Sequence, residues 1–200
     1  MAWLQLMGRS RARKPFGRNI MLKNTTTSYG TVAKAFHWLL FLLLTFSIVM
    51  GNLLAAMPKS AEKLQAAGMH KSFGAILLTL ILFRLLWRLI SETPRLPDGT
   101  TPGQAILAKG MHWLLYILML AQPLSGILMS QAGGFPVSFF GLFEFPVFLD
   151  KNPELAEFFR AMHGAVWILL VVAVFGHAGA ALHHHFIKKD NVLKQMTRTA

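Results

Sequence analysis

Three stretches of this chain, residues 35–58, 110–143 and 161–187, contain no Asp, Glu, Lys or Arg. Each is long enough for the roughly 20-residue helix that crosses the hydrocarbon core of a bilayer. Composition points the same way: 54% hydrophobic residues and 14% charged ones leave too little polar surface to cover a water-soluble globule. A fourth apolar stretch, residues 72–83, is only twelve residues long before Arg84 interrupts it, a length that would equally suit a buried soluble helix. Its helical pattern nevertheless runs from about 70 to 90. Arg84 and Arg88 fall near the far end, where long basic side chains snorkel or meet an internal anion. The expectation is an all-α, integral membrane four-helix bundle with helices near 33–55, 70–90, 111–130 and 162–186. It must be closed, because lipid offers no partners for free backbone groups.

Twenty Lys and Arg against eight acids give a formal charge of +12. In a membrane chain such an excess reports topology, and no nucleic-acid partner is expected. Fifteen of the basic residues, from Arg9 to Lys34, from Arg84 to Lys109 and from Lys188 to Arg198, fall on one side of this arrangement. Lys59, Lys63, Lys71, Lys151 and Arg160 fall on the other, so both termini are expected in the cytoplasm. Residues 1–28 form a basic leader, read as a topology signal, a disordered segment or a start-site artefact with Met21 as a later start; contact with anionic lipid is the alternative. Residues 29–196 are the bundle and 197–200 a tail. The outer segment 131–160, rich in Gly and Pro, is expected to contain a short interfacial helix.

The chain has no cysteine, which excludes thiolate metal sites, iron–sulfur clusters and covalent haem attachment. Histidine is then the strong ligand for any cofactor. His163 and His177 are fourteen residues apart on one predicted helix, which places them about 21 Å apart in depth and about 40° apart around the axis. His70 begins the second helix at the outer level of His163, and His37 begins the first at the inner level of His177. Two stacked pairs of neutral imidazoles, without intramembrane carboxylates, suit two b-type haems; zinc would want three or four protein ligands. Arg84, fourteen residues after His70, falls at the inner level, where it can pair with a haem propionate or simply snorkel. His112 has no obvious partner and is read as a quinone-site residue, a hydrogen-bonding neighbour of a haem or an interfacial side chain. His183, His184 and His185 read as a helix end emerging at the inner interface, although His184, seven residues beyond His177, is placed to hydrogen-bond a propionate or a quinone carbonyl.

The segments Tyr29 through His37-Trp38, His70-Lys71-Ser72-Phe73-Gly74, Arg84-Leu85-Leu86-Trp87-Arg88, Gln122-Pro123-Leu124-Ser125-Gly126, Met162-His163-Gly164, Gly176-His177, His184-His185-Phe186 and Lys189-Asp190-Asn191 resemble the bacterial cytochrome b561 family. The resemblance implies a diheme bundle in the bacterial inner membrane, with His37 and His177 on the inner haem and His70 and His163 on the outer one. It also implies a superoxide:ubiquinone oxidoreductase, taking electrons from superoxide on the periplasmic side and passing them to ubiquinone. Lys71 beside His70, with Lys59, Lys63, Lys151 and Arg160, then reads either as drawing an anionic donor toward the outer haem or as ordinary outer-surface charge. Two other readings stand beside it: a cytochrome b anchor subunit of a larger dehydrogenase or hydrogenase, and a histidine-based metal transporter. Membrane lipid is the expected surrounding, with a partner subunit or a homodimer left open.

Overall fold

The computed structural model describes residues 21–197; the leader reading for residues 1–20 and the last residues of the tail lie outside them. Four long helices dominate: α1 (Thr31–Ala56), α2 (Ala61–Ile90), α3 (Pro102–Ala132) and α4 (Pro153–His183). A two-residue pair of strands, β1 (Ser138–Phe139) and β2 (Phe143–Glu144), lies between α3 and α4, and α5 (Lys194–Thr197) ends the described chain. All four long helices are long and apolar enough to cross a membrane, the last continuing to Lys188 through a π-helical turn over His184–Lys188.

Helices α2, α3 and α4 each begin nine residues ahead of the starts that the apolar pattern suggests. The added turns are polar, so hydropathy does not mark them; their start signals are caps. Ser60 accepts from the Lys63 N–H, and Thr101 and Gln104 form a capping box ahead of Pro102. Asn152 accepts from the Leu155 N–H ahead of Pro153. Each cap satisfies backbone donors that the first helical turn leaves free. The expected interfacial helix within 131–160 is absent: residues 153–161 are the first turns of α4, and residues 138–144 form an antiparallel hairpin instead. Phe140 and Gly141, both at positive φ, make its tight turn.

Residues 21–28, assigned to the leader on composition, fold back as a loop against the α2–α3 connection. The Arg95 N–H donates to the Thr26 carbonyl at 2.8 Å, and Asn24 Nδ2 to the Glu92 carbonyl at 2.8 Å. Gly30 permits this approach, since a Cβ there would meet the Leu22 and Lys23 carbonyl oxygens at 2.4 Å.

The helices pack in chain order, α1 on α2, α2 on α3 and α3 most extensively on α4, while α1 and α4 barely approach each other. Leu40, Leu77, Ile81 and Tyr116 join the first three helices; Leu115, Leu118, Leu170 and Ala173 join the last two. Most other large apolar side chains, such as Leu42, Ile90 and Phe175, point outward as lipid requires. One end of the bundle carries the start of α1, the α2–α3 loop and the end of α4, and is called here the termini end. The other carries the α1–α2 loop and the strands, and is called the hairpin end.

Candidate functional site

Each of the four long helices carries a histidine, and the bundle gathers these into two groups. At the hairpin end, His70 from α2 faces His163 from α4, with ring centres 6.4 Å apart and planes at 88°. Both rings rest on glycine: a Cβ on Gly51 would lie 3.1 Å from the His70 ring, and one on Gly126 would lie 3.1 Å from the His163 ring. His163 Nδ1 donates to the Gln122 carbonyl at 2.9 Å and also lies 3.1 Å from Ser125 Oγ. A carbonyl can only accept, so the ring proton sits on Nδ1 and Nε2 keeps its lone pair. Nε2 meets the Gln122 side-chain amide at 3.0 Å. His70 Nδ1 is buried with no hydrogen-bond partner.

At the termini end, His37 from α1 and His177 from α4 have ring centres 6.1 Å apart with planes at 56°. Arg84 reaches them from α2. Its NH2 group donates to His37 Nδ1 at 3.1 Å, and its Nε donates to the Tyr116 hydroxyl at 3.2 Å. His112, which had no evident partner in the sequence, lies against His177 with ring centres 5.4 Å apart, and its Nδ1 donates to the Ala108 carbonyl at 2.7 Å.

Beyond this group, the π-helical turn presents His184. Its Nδ1 pairs with an Asp190 carboxylate oxygen, while Asp190 also accepts from the Val192 N–H at 3.0 Å. Partial burial raises the Asp190 pKa, but the His184 hydrogen bond, the Val192 N–H and nearby Lys188 outweigh it and hold the carboxyl below its ordinary value. Lys189, at φ 56°, turns the chain so that the pair can close. His183 ends α4, its ring centre 6.1 Å from that of His184, and His185 Nδ1 is buried without a partner.

The two pairs can be tested against a metal held between two imidazoles. Ring nitrogens about 2.0 Å from an ion on opposite sides, each about 1.15 Å from its ring centre, put the ring centres about 6.3 Å apart. Both pairs match that figure, whereas His112 and His177 are too close. His37 and His177 also project from α1 and α4, two helices that scarcely pack on each other. Among the described residues no cluster of three or more His, Asp and Glu is arranged to hold an ion. The residues present therefore fit haem held by paired histidines.

Gly51 and Gly126 were legible as small residues that allow close helix approach or leave room for a flat macrocycle, whereas Gln122, Ser125 and Tyr116 were not singled out as site residues by the sequence. The nearest signal was the spacing of Gln122, Ser125 and Gly126 at i, i+3 and i+4, which puts all three on one face of α3. Lys71, expected as an outward cation, instead bonds Ser130 Oγ and the Pro136 carbonyl.

The prokaryotic cytochrome b561 family model matches residues 28–199. The chain is 35% identical over 175 residues to cytochrome b561 homolog 2 of Escherichia coli (strain K12), covering 86% of this chain and 93% of the relative. It is 31% identical over 168 residues to a probable superoxide oxidase, CybB, of Yersinia pestis, covering 84% of this chain and 94% of the relative. It is also 31% identical over 161 residues to cytochrome b561 homolog 1 of Escherichia coli (strain K12), covering 80% and 91%.

Proposed function

This chain belongs to the prokaryotic cytochrome b561 family, and from that premise we propose that it carries two b haems and moves electrons between a donor at its hairpin end and the ubiquinone pool. Family membership makes it a haem-b-binding membrane cytochrome. The observation that supports two haems is the pair of ring separations, 6.4 Å for His70–His163 and 6.1 Å for His37–His177.

Haem held by a pair of histidines would supply a one-electron centre suited to electron transfer rather than oxygen binding. The chain's part is to set and orient the ligands. Gln122 and Ser125 fix the tautomer of His163, as a hydrogen bond to the far nitrogen commonly does for a metal-bound histidine. If His37 held haem through Nε2, its ring proton would sit on Nδ1, which could then not accept from Arg84. The guanidinium, still bonded to Tyr116, would then be free to pair with a haem propionate.

The positive-inside rule puts the termini end in the cytoplasm and the hairpin end in the periplasm. A periplasmic anionic one-electron donor, superoxide, is the reading favoured by the name of the Yersinia pestis relative. Two superoxide ions, each oxidised to oxygen, give the two electrons that, with two protons, convert ubiquinone to ubiquinol. His112 and His184 are the candidates to hydrogen-bond a quinone carbonyl at the termini end.

The test is turnover by the isolated chain. Purified protein given a superoxide source and a soluble ubiquinone should form ubiquinol, and added superoxide dismutase should suppress it. A diheme preparation that forms ubiquinol only with a copurified catalytic subunit would instead establish an anchor cytochrome.

A further inference from the structure

The segment between α3 and α4 is fastened to α2 at the two residues that follow His70. Ser72 is fully buried. Its Oγ accepts from the Phe140 N–H at 2.9 Å, and its one proton is shared between the Ser138 carbonyl at 3.1 Å and the Gly68 carbonyl at 3.0 Å. Lys71 Nζ donates to the Pro136 carbonyl at 2.7 Å and to Ser130 Oγ at 3.2 Å. The Phe140 ring stands edge-on to Phe73, centres 5.6 Å apart. Phe140 itself is held at φ 49°, the left-handed region that a bulky residue rarely adopts. Such a conformation persists only where its surroundings over-determine it. Here the Ser72 hydroxyl and the Phe73 ring do so. Lys71 gives two of its three donors to Pro136, just ahead of the hairpin, and to Ser130 near the end of α3, and so acts as a strap.

We propose that Ser72 and Lys71 are positioning residues for the His70–His163 centre: they hold the hairpin closed across this end of the bundle and limit the access of water to the haem bound there. The proposal rests on the assignment of that pair as haem ligands. Exposure is one of the levers by which a protein sets a haem's potential. Water stabilises the oxidised form, which carries one more positive charge, so an opened hairpin lowers the potential of the hairpin-end haem. The His37–His177 pair, about 21 Å deeper along α4, is out of the hairpin's reach and stays unchanged.

Ser72→Ala tests this in the full-length haem-loaded chain, because it removes the hydroxyl without altering charge and, Ala being the better helix former, without weakening α2. Amide exchange at residues 137–145 should accelerate about tenfold or more. In a redox titration the component that disappears in His70→Ala should move to lower potential while the other stays. Ser138→Ala, which removes only bonds within the turn to Gly141 and Phe143, should leave both components in place. Unchanged exchange in Ser72→Ala would show that there is no latch. Faster exchange with neither component moved, or with both moved alike, would show that the latch positions nothing. If His70→Ala removes neither component, the ligand assignment fails and takes the proposal with it, an outcome that the exchange data alone would not produce.

Discussion

The two histidine groups are built from different materials. At the hairpin end the rings are seated sterically, each on a glycine, and one is oriented by a backbone carbonyl and a serine. At the termini end the nearest added Cβ, on Gly176, would meet only Met111 Cε at 3.7 Å, and the polar neighbours are a guanidinium, a phenol and a third imidazole. The hairpin-end pair should therefore be sensitive to volume and tolerant of charge changes. The termini-end pair should behave in the opposite way.

The largest expected effect separates the pairs outright. His70→Ala and His163→Ala should each lose the same spectral component, and His37→Ala and His177→Ala the other, as measured by reduced-minus-oxidised spectra and haem content. Loss of a component in His112→Ala, with His37→Ala harmless, would move a ligand to α3.

Next in size is the steric contrast. Gly126→Val forces a side chain into the His163 ring, where crowding of this kind costs about 1–3 kcal/mol, and should deplete the hairpin-end haem. Gly176→Val should retain both haems. Equal losses in the two variants would erase the distinction.

Arg84→Gln probes the electrostatic side. Charge-assisted hydrogen bonds are worth about 1.5–3 kcal/mol, so the termini-end haem should be retained roughly ten- to a hundredfold less tightly while the other is unaffected. A competition assay with apomyoglobin would measure the release of each.

The smallest effect lies beyond both pairs. The Asp190 carboxyl is held below its ordinary pKa by His184 and the Val192 N–H, so it stabilises the fold above the unfolded-state value of about 3.9. That contribution is lost as pH falls through the lowered folded-state value. The thermal midpoint of the wild type should exceed that of Asp190→Asn at neutral pH, with the gap closing below about pH 4.

Much of this was legible in the sequence because membrane helices announce themselves by charge. The absence of charged residues over 35–58, 110–143 and 161–187 located three spans, and helix arithmetic put His163 and His177 on one face at two depths. What it missed depends on register between helices. Nothing local to residue 112 says that it meets His177, and the hairpin's attachment to Ser72 joins positions 66 and 68 residues apart. The early starts of α2, α3 and α4 escaped for a different reason. Ser60, Thr101 and Asn152 are cap signals in polar sequence, which an apolar window passes over.

The central claim is that the two histidine pairs each hold one haem. The most direct measurement is a pyridine haemochrome count per chain on purified protein, with a low-temperature electron paramagnetic resonance spectrum of the oxidised form. The account predicts two b haems, both six-coordinate and low-spin. One haem per chain in intact protein, or a high-spin signal of comparable size, would contradict it.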